Sequence, residues 1–309
     1  MNSVIPWIRA ARLQTLPLAA SCVLIGGALS LASGLDSDAM DRFPWVFGGA
    51  LLTVVLLQVL SNFANDYGDF QQGTDTRADR QDRALASGAI APQAMKHALI
   101  GVAVLAFVAG LATLFLSFGQ RLMEEWRAAL LIAMGIASIA AALKYTLGSN
   151  PFGYQGLGDL FVLIFFGFVG VMGVGLLTSH AMDWTWAWAS LFSGCMSMAV
   201  LNLNNLRDHV DDERSGKKTL VVRMGFRRGK VYHLALLTIG WLALALHFSM
   251  ASSPWHGTFW YALIALVHAR HAVEVWRCQE PKGLNPELKR IALSTFVVAL
   301  FMFMDQMWS

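Results

Sequence analysis

Charge is scarce in this chain. Only 14% of its 309 residues are Asp, Glu, Lys or Arg, against about 25% in soluble globular proteins. Cysteine is scarcer still, and Cys22, Cys195 and Cys278 lie far apart, in or beside apolar runs. That spacing holds no metal-ligand pattern and argues against a disulfide framework. The basic connections are short and interrupted by acids, which excludes a nucleic-acid surface. Glycine is frequent but falls in no nucleotide-binding pattern. His268 and His271, spaced i, i+3, have no carboxylate or cysteine partner at ligand spacing and read as packing or interface residues.

Apolar surface is what the chain has in quantity. It is 56% hydrophobic, with 11 Trp and 19 Phe, the composition of a polytopic membrane protein. A spanning helix needs about 20 apolar residues. On that length nine spans are expected, at 16–33, 43–64, 95–118, 127–147, 158–178, 185–203, 231–250, 256–276 and 290–308. The first follows Arg9 and Arg12 and could pass for a signal peptide, with small residues near Ser33 as a cleavage region. Its length, and the spans behind it, favour a retained helix. The fifth span carries Gly167, Gly170, Gly173 and Gly175, which suits close helix packing in lipid. Trp184, Trp186 and Trp188 read as an aromatic belt at a membrane edge.

Lys and Arg set the orientation. With the N-terminus inside, every basic residue except Arg42, Arg121 and Arg127 falls on the cytoplasmic side. The C-terminus is then outside, in a multi-pass protein of the cell (inner) membrane. Two connections on the inner side are long, 65–94 and 204–230. Each begins at an Asn- and Asp-rich helix end. The expected architecture is all-α: one integral-membrane domain over 1–309, built as two four-helix units plus a ninth helix.

Those two helix ends carry the chemistry. In the first, Asn65, Asp66 and Asp69 follow an apolar run, and i, i+3 spacing puts Asp66 and Asp69 on one helical face. In the second, Asp208 and Asp212 are spaced i, i+4, with Asp211 beside them and Arg207, Arg214, Lys217 and Lys218 adding cations suited to phosphate. Ionisable residues at membrane helix ends mark ion, substrate or proton sites. Two carboxylate clusters at matching depth could hold Mg2+ against a diphosphate. Taken singly, each cluster is also what a solvated loop would look like; together they favour a site.

The wording of these segments resembles the UbiA superfamily of intramembrane prenyltransferases. Asn65-Asp66-x-x-Asp69 and Asp208-x-x-x-Asp212 match its two aspartate motifs. Leu13-Gln-Thr-Leu-Pro17, Leu60 to Asp69 with Gly73-Thr-Asp75, Lys144-Tyr-Thr-Leu-Gly148, Gly153 to Asp159, and Asn204 to Asp208 with Gly216 to Arg223 are similar to the branch that prenylates 1,4-dihydroxy-2-naphthoate in menaquinone biosynthesis. The last three spans match only in hydropathy. One position departs: the superfamily's third Asp, four residues after the second, is Gly73 here, and the nearby acid is Asp75.

The resemblance implies a Mg2+-dependent aromatic polyprenyltransferase. A polyprenyl group would pass from an allylic diphosphate to 1,4-dihydroxy-2-naphthoate, with loss of CO2 and diphosphate, giving a demethylmenaquinone. It implies Asp66, Asp69, Asp208 and Asp212 as catalytic metal ligands, with Asp211 among the metal-binding acids and Asn65 in support. Arg207 and Lys217 would grip diphosphate. Arg12 and Lys144 are candidates for the acceptor carboxylate or the diphosphate, and equally for topology anchors. Tyr145 and Asp159 sit in matching phrases, Tyr145 as a candidate for substrate binding or for an anchor at the membrane interface. Arg80-x-x-Arg83 resembles a loop that caps the site. The partners are polyprenyl diphosphate, the aromatic acceptor and membrane lipid, with no nucleic acid. Two other readings stand beside this one: a relative using another acceptor such as 4-hydroxybenzoate, and an ion-coupled secondary transporter, whose site would lie nearer mid-membrane.

Overall fold

The structure is a computed structural model that describes residues 4–73, 84–251 and 258–308. Asp75 and the Arg80–Arg83 segment lie outside the described residues. Among the described residues all regular structure is helical. A short helix α1 (Val4–Ala11) turns into α2 (Leu16–Ala32), followed by α3 (Ser37–Gln71), α4 (Pro92–Phe118) and α5 (Trp126–Lys144). Then come α6 (Gly158–Ser179), α7 (Trp186–Arg214), the single-turn α8 (Leu220–Met224), α9 (Phe226–Met250), α10 (Thr258–Arg277) and α11 (Asn285–Met307).

Local sequence explains the boundaries. Asp36 caps α3 by accepting from the Ala39 amide at 2.7 Å, and prolines stand in the first turns of α2, α4 and α11, where no amide is needed. At 35 residues α3 runs longest, roughly 50 Å at 1.5 Å per residue. A hydrocarbon layer is about 30 Å thick, so α3 is longer than an upright crossing needs, and Asp66 and Asp69 lie in its last turns. The centre of α6, Leu163–Met172, is π-helical, an uncommon winding that recurs at functional sites.

By length and apolarity alone, seven helices among the described residues could cross a membrane: α1–α2 taken together, α3, α4, α5, α6, α7 and α9. The nine-span expectation adds α10 and α11. These are 20 and 23 residues long but carry Arg270 and Glu274, and Glu287, Lys289, Arg290 and Asp305, charges that dilute their apolar runs.

Burial separates the helices. In α2 every residue from Ser21 to Ser30 is buried, the mark of a helix surrounded by others. By contrast, α5 buries only Ala128. The core joins α2, α7, α9 and α11, and α3 packs along α4. Close approach depends on glycine: a Cβ on Gly167 of α6 would come within 2.8 Å of the Ser190 carbonyl and 3.2 Å of the Gly194 Cα on α7. In lipid, where burial adds little between helices, such contact supplies the attraction.

Two expectations need correction. Trp184 is exposed, but Trp186 is buried against Gly175, so the tryptophans do not form one belt. Near a helix start, i and i+2 point to opposite sides at about 100° per residue. The histidines also have partners that spacing could not reveal. His271 Nδ1 lies 2.6 Å from Glu287 Oε2, and its Nε2 lies 2.9 Å from His233 Nε2. His268 meets Ser294 Oγ at 2.6 Å and accepts from Trp241 at 3.0 Å. This buried network joins α9, α10 and α11.

Candidate active site

The first cluster lies in the last turns of α3. Asp66 and Asp69 are 2% and 4% exposed, and the helix end is held from two sides. Asn62 Nδ2 donates to the Ala11 carbonyl at 2.8 Å and to Thr15 Oγ1 at 3.0 Å, fastening α3 to the α1–α2 turn. Thr146 Oγ1 donates to the Ala64 carbonyl at 2.8 Å, fastening it to the end of α5. That second contact requires Gly68, where a Cβ would meet the Thr146 carbonyl at 2.6 Å.

Arg12 occupies the α1–α2 turn in a left-handed conformation, φ 48° and ψ 59°. For a residue with a Cβ this costs about 1–2 kcal/mol. Backbone strain of this kind collects at functional sites. Here it aims the guanidinium at Asp66, with Nη2 3.5 Å from Oδ1.

The second cluster is the end of α7 and the segment after it, and the structure divides it. Asp212 is buried and turns toward Asp69. Lys217 Nζ lies 2.8 Å from Asp69 Oδ1 and 4.0 Å from Asp212 Oδ1, bridging the two clusters. Asp208 instead forms a two-point pair with its neighbour Arg207, at 2.8 and 2.6 Å, while Arg207 also donates to Asn285 of α11 at 3.3 Å. Asp211 is half-buried. Of the expected set, Asp66, Asp69, Asp212, Arg12 and Lys217 converge directly, and Asp208 with Arg207 stands one turn back along α7.

A residue the sequence did not single out completes this junction. Tyr154 donates its hydroxyl to Asp69 Oδ1 at 2.8 Å, and Lys217 Nζ lies 4.6 Å from the centre of its ring. It belongs to the Gly153–Asp159 phrase, but no spacing rule connects it to an acid 85 positions earlier. Lys144 is exposed and sits 5.6 Å over the Phe152 ring. Asp159 is buried and accepts from Tyr232 Oη at 2.9 Å.

Below this polar end a cavity of about 350 Å³ runs between α2, α3, α4, α5, α6 and α7. Arg12, Asn62, Asn65, Tyr145 and Asn204 line it at the charged end, and apolar residues such as Phe161, Leu111 and Leu177 line the remainder. Tyr145 therefore faces the cavity, not a membrane interface. A phenol is uncharged at neutral pH, so Tyr145 is a neutral donor there.

Among the described residues no three His, Cys, Asp or Glu side chains stand as a preformed metal cluster. The donors are nonetheless of the kind a hard cation takes, carboxylate oxygens from two helices. Lys217 shows that the junction of Asp69 and Asp212 accommodates positive charge. The residues fit Mg2+.

The fold and site define a multi-pass membrane enzyme with an apolar cavity beside a cluster of charged side chains. The model of the UbiA prenyltransferase family matches residues 19–303, and the chain belongs to that family. It is 38% identical over 308 residues to a 1,4-dihydroxy-2-naphthoate octaprenyltransferase of Escherichia coli, covering 97% of this chain and 96% of that one. The enzyme of the same name from Haemophilus influenzae is 38% identical over 94% of this chain and 92% of its own length. Among solved structures, a UbiA homologue from Archaeoglobus fulgidus bound to DMAPP and Mg2+ shares the fold. Its TM-score is 0.64 at 14% identity, covering 97% of this chain and 99% of that one.

Proposed function

We propose that the chain transfers a polyprenyl group from an allylic polyprenyl diphosphate to 1,4-dihydroxy-2-naphthoate, releasing CO2 and diphosphate and giving a demethylmenaquinol, the hydroquinone form of a demethylmenaquinone. The observation that carries this reading is the 38% identity to a naphthoate octaprenyltransferase along nearly the whole chain. The paired aspartate clusters at the mouth of an apolar cavity support it.

Each part of the site has a task in that reaction. The apolar walls hold the isoprenoid and keep water from an allylic cation. Asp66, Asp69, Asp208, Asp211 and Asp212 would hold Mg2+, with Asn65 in support. Bound there, Mg2+ supplies positive charge that stabilises departing diphosphate. Lys217, Arg207 and Arg12 bind the diphosphate, the two guanidinium groups by paired donors. Tyr145, a neutral donor on the cavity wall, orients an oxygen of the acceptor, and Lys144 stands at the same end for its carboxylate. In this reading all nine long helices cross the inner membrane as one domain, with Arg12 and both aspartate clusters on the cytoplasmic side.

The test is an acceptor competition with purified protein in detergent, using Mg2+, a labelled polyprenyl diphosphate, and either 1,4-dihydroxy-2-naphthoate or 4-hydroxybenzoate, with and without EDTA. EDTA-sensitive product and CO2 from the naphthoate alone support the proposal. Product from 4-hydroxybenzoate alone overturns the acceptor and keeps the chemistry.

A further inference from the structure

Lys217 stands at the junction of the two halves of the site, and its backbone is anchored there. Its amide donates to the Asp212 carbonyl at 2.9 Å, and the next amide, of Lys218, donates to the Tyr154 carbonyl at 2.9 Å. Arg223 ties the same two segments again, donating to the Gln155 carbonyl at 2.6 Å and the Lys218 carbonyl at 3.1 Å. Gly156, at φ 74°, lets the chains touch, because a Cβ there would lie 2.6 Å from the Lys218 carbonyl. The Lys217 side chain, by contrast, is a flexible stem carrying a compact charge. Its ammonium shares Asp69 Oδ1 with the Tyr154 hydroxyl, both at 2.8 Å.

A divalent cation takes carboxylate oxygen at about 2.0–2.1 Å for Mg2+. An ammonium on the same oxygen would then lie within about 5 Å of it, where like charges strongly disfavour each other. Asp69 Oδ1 can serve one of them at contact. We propose that Lys217 is a resident counter-cation which competes with the divalent metal for Asp69 and Asp212. When the metal takes those oxygens, the ammonium is displaced onto the diphosphate. Metal and prenyl diphosphate therefore bind interdependently: the metal frees the lysine that the diphosphate needs, and by linkage the diphosphate tightens the metal equally. Tyr154 is a positioning residue that keeps Asp69 Oδ1 facing this exchange.

The proposal rests on the metal assignment above, and Mn2+ binding to purified protein without any diphosphate tests both. Electron paramagnetic resonance reads the free Mn2+. Lys217→Met should bind Mn2+ about tenfold or more tighter than the parent, the size expected for removing a close like charge. Lys217→Arg should stay near the parent. Unchanged or weaker binding in Lys217→Met, with parental helicity and elution, overturns the exchange. A second measurement needs no substitution: in the parent, Mn2+ should increase labelling of Lys217 by an amine-reactive reagent, read by mass spectrometry. Unchanged or reduced labelling overturns the proposal. Asp69→Asn separates the two ideas. If it binds Mn2+ as the parent does, the metal assignment itself falls; if it loses Mn2+ while Lys217→Met gains nothing, only the exchange falls.

Discussion

Arg12 reaches Asp66 across the turn between α1 and α2, its Nη2 3.5 Å from the carboxylate oxygen, from a left-handed backbone that glycine would adopt without strain. Placement of this guanidinium and local stability therefore pull in opposite directions. Arg12→Gly should relieve about 1 kcal/mol of backbone strain while removing a cation from buried Asp66, opposing effects that leave the thermal midpoint near the parent's. It should lower prenyl transfer at least about tenfold through loss of a charged contact. Melting curves and initial rates on the same preparation check both. Parental activity in the glycine variant would make Arg12 a structural residue only.

The carboxylates should matter to chemistry far more than to folding. Asp66→Ala and Asp208→Ala are expected to abolish turnover while membrane insertion and helicity stay intact, because each change puts a strong helix former inside a long helix. Full activity in either variant removes that residue from the metal set.

Gly68 should tolerate no side chain. Alanine there would press on the Thr146 carbonyl and Cβ, at 2.6 and 2.7 Å, and separate the ends of α3 and α5. Overpacking of this kind costs about 1–3 kcal/mol. It also moves Asp66 and Asp69 on either side of the glycine. Gly68→Ala should lower both the melting temperature and the rate, a double loss that Gly48→Ala, whose Cβ would meet nothing within 4 Å, should not show.

At the opposite end of the bundle, His180 caps α6 in a left-handed conformation and meets Ser117 Oγ at 2.8 Å. Burial, helped by Arg42 and Arg127, lowers its pKa. The folded chain thus favours neutral imidazole, while the unfolded chain takes up a proton below about pH 6.5. Stability contributed by the neutral form is present above that pH and is lost as pH falls toward the folded pKa. His180→Asn, which tolerates the backbone, should shrink the difference in melting temperature between pH 8 and pH 5. An unchanged difference assigns the pH sensitivity elsewhere.

Sequence revealed what is periodic or local. Apolar runs located the long helices, and i, i+3 and i, i+4 spacing put Asp66 with Asp69 and Asp208 with Asp212 on shared helical faces. It missed what depends on the third dimension. Tyr154 belongs to a connecting segment, and only the fold places its hydroxyl against Asp69. Glu287 and His271 sit on different helices 16 positions apart, beyond any ligand-spacing rule. Asp208 and Asp212 share a helical face, yet one pairs with Arg207 and the other approaches α3, a division set by which helices stand nearby. The π-helical centre of α6 left no mark in hydropathy, because apolar residues on every side mask a change of winding.

The pairing of Lys217 with Asp69 joins positions 148 residues apart, and that separation is also an interval during synthesis. At 5–20 residues per second, the ribosome takes roughly 7–30 s to supply the lysine after the aspartate has been made. For that time the end of α3 must wait at the membrane with its carboxylates lacking this cation. A nascent chain halted before residue 217 lacks the ammonium that this contact supplies to Asp69.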